Sequence, residues 1–334
     1  MNDDIGPIIE DQFSRLLGRI VDRAAIRAAE GAETPAGLWR AVEEAGVPLA
    51  LVSEAGGGIG LAPTTAFNLI SIAAYHALPL PLGETMAAAG LLDRALTGPA
   101  TLASFSGLAA KRAPYGADAA HVLCALERGW ILAPASCVEA RRGANLAGEP
   151  RDDLRIAAGA GEPVDAPAWL GPDGLDAVGA LVRAAQMRGA MRRAVEMSLS
   201  HAREREQFGR PIARFQAVQH MLADAAGQSL AAGALVDNAA EAWGDPDFAF
   251  RAALAKSRAG AAAGKVAEAA HQTHAAMGFT QEHDLNFHTR RLWAWRDEFG
   301  GEALWRERIG RAVCAEGGEA LWPRIVAATS GPRA

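Results

Sequence analysis

The sequence predicts a mostly helical protein, with an N-terminal helical unit over residues 1–100, a small β-rich unit over 101–168 and a C-terminal helical bundle over 169–330. Three observations predict it. Apolar residues recur at helical spacing through long stretches on both sides of residues 101–168. The stretch 101–168 instead alternates short apolar runs with turn residues. Alanine, the strongest helix former, is abundant, while aromatic residues make up only 6% of the chain.

The elements follow in order. Ile8, Ile9, Phe13, Leu16, Leu17, Ile20, Val21 and Ala24 predict one helix over 8–32. A second runs from Pro35 to Glu44 and ends at Gly46, where glycine can leave the helix with a left-handed backbone. A glycine-rich turn, Glu54 to Gly60, precedes a helix capped by Thr64 or Thr65, and another spans Glu84 to Ala95. In the β-rich unit, Ala120–Leu126 and Trp130–Ala133 read as a hairpin turning at Arg128-Gly129. From Asp173 the pattern is helical again: Leu175 to Glu204, a second helix opening at Pro211, a third from Asp247 to Met277, and a shorter set from Phe287 to Ala315. Long amphipathic helices with short connections predict a bundle.

Bulk properties exclude several function classes. The net charge is −6, from 33 basic and 39 acidic residues, and no basic face is implied, so nucleic acid is not an expected partner. Cys124, Cys137 and Cys314 are far apart without metal-ligand spacing; no metal site is expected, and they read as reduced buried thiols. The start of the chain, with Asp3, Asp4 and Glu10, lacks the positive and apolar regions of a secretory signal. No stretch reaches the roughly 20 apolar residues of a membrane span. These features predict a cytoplasmic protein.

Two C-terminal segments carry a specific pattern. The first is Arg203-Glu204-Arg205-Glu206-Gln207-Phe208-Gly209-Arg210-Pro211-Ile212, followed by Phe215-Gln216 and Leu222-Ala223-Asp224. The second is Gln272-Thr273-His274-Ala275-Ala276-Met277-Gly278-Phe279-Thr280. Taken singly, Arg205 reads as a surface arginine paired with Glu204 or Glu206, Phe208 as core and Gln216 as a solvated helix face. Together, in this order, they resemble the signatures of the acyl-CoA dehydrogenase family. A weaker match runs from Leu38-Trp39 through Glu44-Ala45-Gly46 to Gly60.

The resemblance implies a flavin-dependent enzyme that removes hydrogen from the α and β carbons of an acyl-CoA thioester, with FAD as cofactor and an electron-transfer flavoprotein as electron acceptor. It implies that Arg205 binds the FAD pyrophosphate through charge-assisted hydrogen bonds. Phe208 then packs beside the cofactor, Gln216 and Gln272 bond its adenosine side, and Ala276 approaches it. In the family these residues complete a site formed mainly by a neighbouring subunit, so a homo- or hetero-oligomer with another acyl-CoA dehydrogenase subunit is expected. The chain also departs from the pattern. Ala275-Ala276 stand where the family has Gly-Gly, and Phe105 to Ala110 stands where its flavin-ring loop belongs.

The family's catalytic carboxylate occupies one of two positions. Counting from Gln272, one falls on Phe299, with Glu298 a residue away; counting back from Arg205, the other falls on Gly179. Glu298 is therefore the candidate base, with Asp297 and Glu302 as neighbours that would raise its pKa; the competing reading pairs it with Arg296 or leaves it at a helix end. Three functions stay open: a subunit of a heteromeric dehydrogenase whose FAD site is shared with a partner, a self-sufficient homo-oligomer using Glu298, or a helical scaffold without FAD.

Overall fold

The computed structural model describes residues 5–30, 34–171 and 174–329. Asp3, Asp4 and Asp173 lie outside them.

Five helices come first: α1 (Gly6–Ile20), α2 (Arg23–Ala29), α3 (Ala36–Glu44), α4 (Pro63–Tyr75) and α5 (Leu82–Leu92). The single helix expected over 8–32 is two. Val21 is extended, and the Asp22 carboxylate accepts from the Ala25 N–H, capping a new helix that the apolar spacing alone did not reveal. The helix after the glycine-rich turn starts at Pro63 behind Ala62, so neither Thr64 nor Thr65 caps it.

Seven strands follow: β1 (Ala100–Ser104), β2 (Ala109–Pro114), β3 (His121–Leu126), β4 (Gly129–Pro134), β5 (Val138–Arg141), β6 (Arg151–Ile156) and β7 (Glu162–Val164). They form two sheets, β1-β3-β4-β7 and β2-β6-β5, closed on a small core that includes Phe105, Val122, Cys124 and Leu154. The β3–β4 hairpin pairs Leu126 with Gly129, so its turn is Glu127-Arg128, one residue before the expected place.

The rest is helical: α6 (Gly174–Glu204), a two-stranded hairpin β8 (Glu206–Gln207) and β9 (Arg210–Pro211), α7 (Gln216–Glu241), α8 (Phe248–His274), α9 (Leu285–Asp297), α10 (Glu302–Glu316) and α11 (Leu321–Thr329). Pro211 closes the hairpin instead of opening α7, because it pairs with Glu206. At 31 residues, α6 is about 45 Å long.

One continuous core joins the N-terminal helices to the bundle, from Phe13 on α1 to Trp305 on α10. Its bundle part is mostly alanine, including Ala180, Ala184, Ala190 and Ala194 on α6 and Ala255, Ala259, Ala263 and Ala267 on α8. Such small side chains let helix backbones approach closely. At Gly189 the approach is extreme: a Cβ there would lie 1.9 Å from the Ser71 carbonyl oxygen of α4. Among the described residues no helix is long and apolar enough to cross a membrane. Of the three cysteines only Cys124 is buried; Cys137 is partly covered and Cys314 exposed, which corrects the expectation of three buried thiols.

Candidate functional site

Two regions collect the residues singled out by the sequence. The first lies where α6 and α8 end. There the β8–β9 hairpin turns on Phe208 and Gly209, both with left-handed backbone (φ 51° and 75°). This two-residue turn suits the twist of paired strands, but a bulky residue held there is strained. The turn leaves the Phe208 ring 91% exposed, with Phe215 edge-on at 6.1 Å between ring centroids. Phe208 is therefore not core. The Arg205 backbone closes the hairpin by accepting from the Ile212 N–H at 2.8 Å. Its guanidinium is exposed and forms no salt bridge among the described residues, so neither Glu204 nor Glu206 holds it.

Across from the hairpin, α8 ends at Ala275, whose φ of 50° and ψ of −139° place an alanine in backbone space that glycine favours. Glycine's geometry is thus kept at this position without glycine. Arg205, Phe208, Gln272, Ala275 and Ala276 line one concavity of about 570 Å³. Gln272 and Ala276 also line its neighbour, of about 860 Å³, walled by Phe279 and Trp293. Gln216 is exposed at the start of α7, beside the first concavity but not in its lining. In the same lining, His201 and His274 stack at 4.5 Å, and His283 meets His274 at 4.7 Å. Burial pushes His274 down to about 4 and lowers His201 as well, so His274 is neutral near pH 7.

The second region is a cleft of about 420 Å³ between the β-rich unit and the bundle, lined by Ser104, Lys111, Asp176, Trp293, Asp297, Glu298 and Phe299 among others. Ser104 Oγ donates to the Asp176 carboxylate at 2.7 Å, pinning the end of β1 to the start of α6. The Glu298 side chain points away from free solvent into a buried ion network. Its Oε1 accepts from Arg151 Nε at 2.8 Å and Asn145 Nδ2 at 2.9 Å; its Oε2 accepts from Arg151 Nη2 at 2.8 Å and Arg183 Nε at 2.6 Å. Arg151 also pairs with Glu149 at 3.0 Å, Arg291 with Glu149 at 3.2 Å, and Arg183 lies 2.6 Å from Glu84. The network therefore ties α5, the β-rich unit, α6, α9 and the loop after α9 together.

Burial alone would raise the Glu298 carboxyl, but the guanidiniums of Arg151 and Arg183 outweigh it and hold the group below the ordinary carboxylate range. The expected rise from Asp297 and Glu302 does not occur, because Asp297 is exposed and Glu302 is taken by Arg296 at 2.8 Å. That pair also removes Arg296 as the partner of Glu298. The sequence missed Arg151 and Arg183, since nothing local in the chain marks either as a partner for a residue more than a hundred positions away.

Gly179 and Phe299 meet directly. A Cβ on Gly179 would lie 2.2 Å from the Phe299 ring, so the ring occupies the space that a side chain at 179 would need. The Arg183 guanidinium, one turn further along α6, covers the same ring at 5.3 Å from its centroid. Among the described residues no group of His, Cys, Asp and Glu could hold a metal ion.

A helical unit, a small β unit and a bundle with an exposed hairpin beside the end of α8 define the acyl-CoA dehydrogenase class of fold. Residues 177–314 match the family model described as acyl-CoA dehydrogenase, C-terminal domain. The chain is 29% identical over 304 residues to the acyl-CoA dehydrogenase IpdE2 of Mycobacterium tuberculosis, covering 85% of this chain and 89% of that protein. It is 45% identical over 94 residues to the 3-sulfinopropanoyl-CoA desulfinase of Paraburkholderia xenovorans, but that stretch spans only 28% of this chain and 24% of the desulfinase. Among solved structures it shares its fold with the ChsE4-ChsE5 complex from Mycobacterium tuberculosis, at TM-score 0.77 and 22% identity over 93% of this chain and 97% of that one. Residues 177–314 therefore belong to the acyl-CoA dehydrogenase family, and the chain as a whole has that family's fold.

Proposed function

We propose that this chain is a subunit of a heteromeric, flavin-dependent acyl-CoA dehydrogenase, contributing framework and part of a shared cofactor site but no catalytic base. The observation that carries the proposal is the contact of Phe299 with Gly179: both family positions for the carboxylate are spent on one apolar contact. Glu298, the neighbouring carboxylate, is committed to two arginines. A general base must reach the substrate's α proton and accept it. A carboxylate held ionised by two guanidiniums is a weak proton acceptor, and transferring a proton to it would break up a buried network.

The hairpin region suits one end of FAD. An exposed, unpaired Arg205 offers a bidentate fork for a pyrophosphate, and Gln272 offers an amide for the adenosine side. When bound, FAD supplies the hydride acceptor. Phe208, strained and exposed at the turn tip, would cover the cofactor or a partner's surface, with Gln216 and Ala276 beside it. The turn Phe105 to Ala110 buries Phe105 and closes on itself through the Ser106–Ala109 bridge, which gives it no loop to hold a flavin ring. The acyl-CoA substrate class draws support from the relatives, since the dehydrogenase and the desulfinase are both named for a CoA thioester. The partner draws support from the fold shared with the ChsE4-ChsE5 complex. We propose the boundaries 1–100, 101–168 and 169–330 for the three units, a cytoplasmic location, and an electron-transfer flavoprotein as electron acceptor.

Co-purification from the native source tests the reading. The expected result is a complex with a second acyl-CoA dehydrogenase subunit that is yellow and bleaches with acyl-CoA, while the isolated chain does not bleach. An isolated chain that retains flavin and bleaches with acyl-CoA would establish the self-sufficient enzyme instead. A chain that binds neither flavin nor partner would establish the scaffold.

A further inference from the structure

Lys256 lies on the third turn of α8 and is 1% exposed. Burying an ammonium is costly unless it is paired. Here Nζ forms no salt bridge among the described residues; it donates to two backbone carbonyls, Arg296 O at 2.6 Å and Gly300 O at 2.7 Å. Both carbonyls belong to the C-terminal end of α9 and the turn beyond it, where a cation meets the negative end of the helix dipole. From the other side, Trp305 Nε1 donates to Phe299 O at 2.9 Å and Gly300 O at 3.1 Å.

The segment so gripped is under strain. Phe299 has φ 52° and Gly300 φ 92°, so two consecutive residues are left-handed and one of them is bulky. Such a conformation persists only where its surroundings over-determine it. It is also what aims the side chains: Glu298 toward Arg151 and Arg183, and Phe299 onto Gly179. An apolar residue at 256 would serve packing at lower cost; what the lysine adds is a fixed path for the turn.

We propose that Lys256 is a positioning residue: from inside the bundle it fixes the turn formed by residues 297–301, and so decides which of that turn's side chains face the cleft. The inference concerns the turn alone and holds whether or not the chain performs chemistry.

The charged groups facing Lys256 are Glu298 and Asp297 from the turn, Glu302 from α10 and Arg183 from α6. Burial, opposed by the three carboxylates, brings the lysine down to about 7. Its grip therefore titrates near neutral pH, because a charged donor bonds roughly twice as strongly as a neutral one.

The indole N–H of Trp305 reports the turn directly, and its NMR signal in the full chain is assigned by its loss in Trp305→Phe. In the wild type we expect this resonance to shift with a midpoint near pH 7. In Lys256→Met the shift with pH should vanish, and the indole N–H should exchange with solvent about ten- to a hundredfold faster. Should Lys256→Met fail to fold, Lys256→Gln takes its place: its amide can still donate to the same carbonyls but carries no charge, so the shift with pH should vanish there too. An indole N–H that exchanges at the wild-type rate and titrates equally once Lys256 is replaced would overturn the proposal.

Discussion

At the scale of single residues, the site separates contacts made within the chain from groups left available. Arg205 is the available cation beside Gln272. Arg205→Ala should weaken flavin retention by the assembled complex about ten- to a hundredfold, the value of a charge-assisted contact of about 1.5–3 kcal/mol. Arg203→Ala, outside the lining of the concavity, should leave it unchanged. Flavin release on dilution, followed by fluorescence, measures both; equal release from the two variants would remove Arg205 from the cofactor site. Glu298 is the opposite case, a group fully consumed. Glu298→Gln leaves Arg151 and Arg183 each with one uncompensated contact in a buried setting, so it should cost about 3–5 kcal/mol of stability. A urea midpoint equal to wild type would show that the network carries no such weight. The sequence indicated Arg205 and Glu298 as notable, but their roles depend on whether an oppositely charged group sits within reach, and chain order does not encode that.

At the scale of elements, the two helices that carry the bundle are close because their facing residues are small, and α6 shows what that closeness permits. Gly179 on α6 receives the Phe299 ring from the turn after α9. Gly179→Ala should destabilise the protein by about 1–3 kcal/mol, the range for overpacking a filled core. In a Phe299→Ala background the same substitution should cost little, because the atoms the new methyl would strike are gone; the double-mutant cycle by chemical unfolding gives the coupling. Additive losses would mean that the two residues do not share the space. The helices themselves were legible, since α3, α6 and the start of α8 fall within a residue or two of their apolar periodicity. The α1–α2 break and the β8–β9 hairpin were not. One depends on a single Asp22 cap, the other on pairing that turns Pro211 into a strand residue.

At the scale of the whole molecule, buried titratable groups set the pH dependence. Burial lowers His201, His271, His274 and His288, so the folded state takes up protons only below the ordinary histidine range while the unfolded chain takes them up within it. Stability must then fall as pH drops below about 6.5. Lys256 is lowered to about 7, so between there and its ordinary value near 10.4 the unfolded chain again binds more protons, and stability rises with pH. Cys124 and Tyr115, both raised by burial, act the other way: the unfolded chain sheds their protons from about 8.5 and about 10, so the thiol offsets Lys256 first and the tyrosine then reverses the trend. The expected melting temperature therefore climbs from pH 5 to about pH 8 and levels off above it, and Lys256→Met should flatten the part above pH 7. A maximum at pH 6 in the wild type would contradict this assignment.

The sequence by itself determined the mostly helical fold, the family, and the segment of residues 203–224 that ends beside α8. These are local properties: periodicity of apolar residues and a contiguous ordered motif survive in one dimension. Tertiary structure alone decided that Phe208 is exposed and not core, that Glu298 joins Arg151 and Arg183, that Phe299 fills the space beside Gly179, and that Lys256 holds the turn which makes both contacts. The first follows from a two-residue turn that only strand pairing reveals; the other three depend on residues separated by tens to more than a hundred positions being brought within a few ångströms. The physical reason is that burial and charge pairing are set by what surrounds a group in space, and only the packed chain specifies those surroundings.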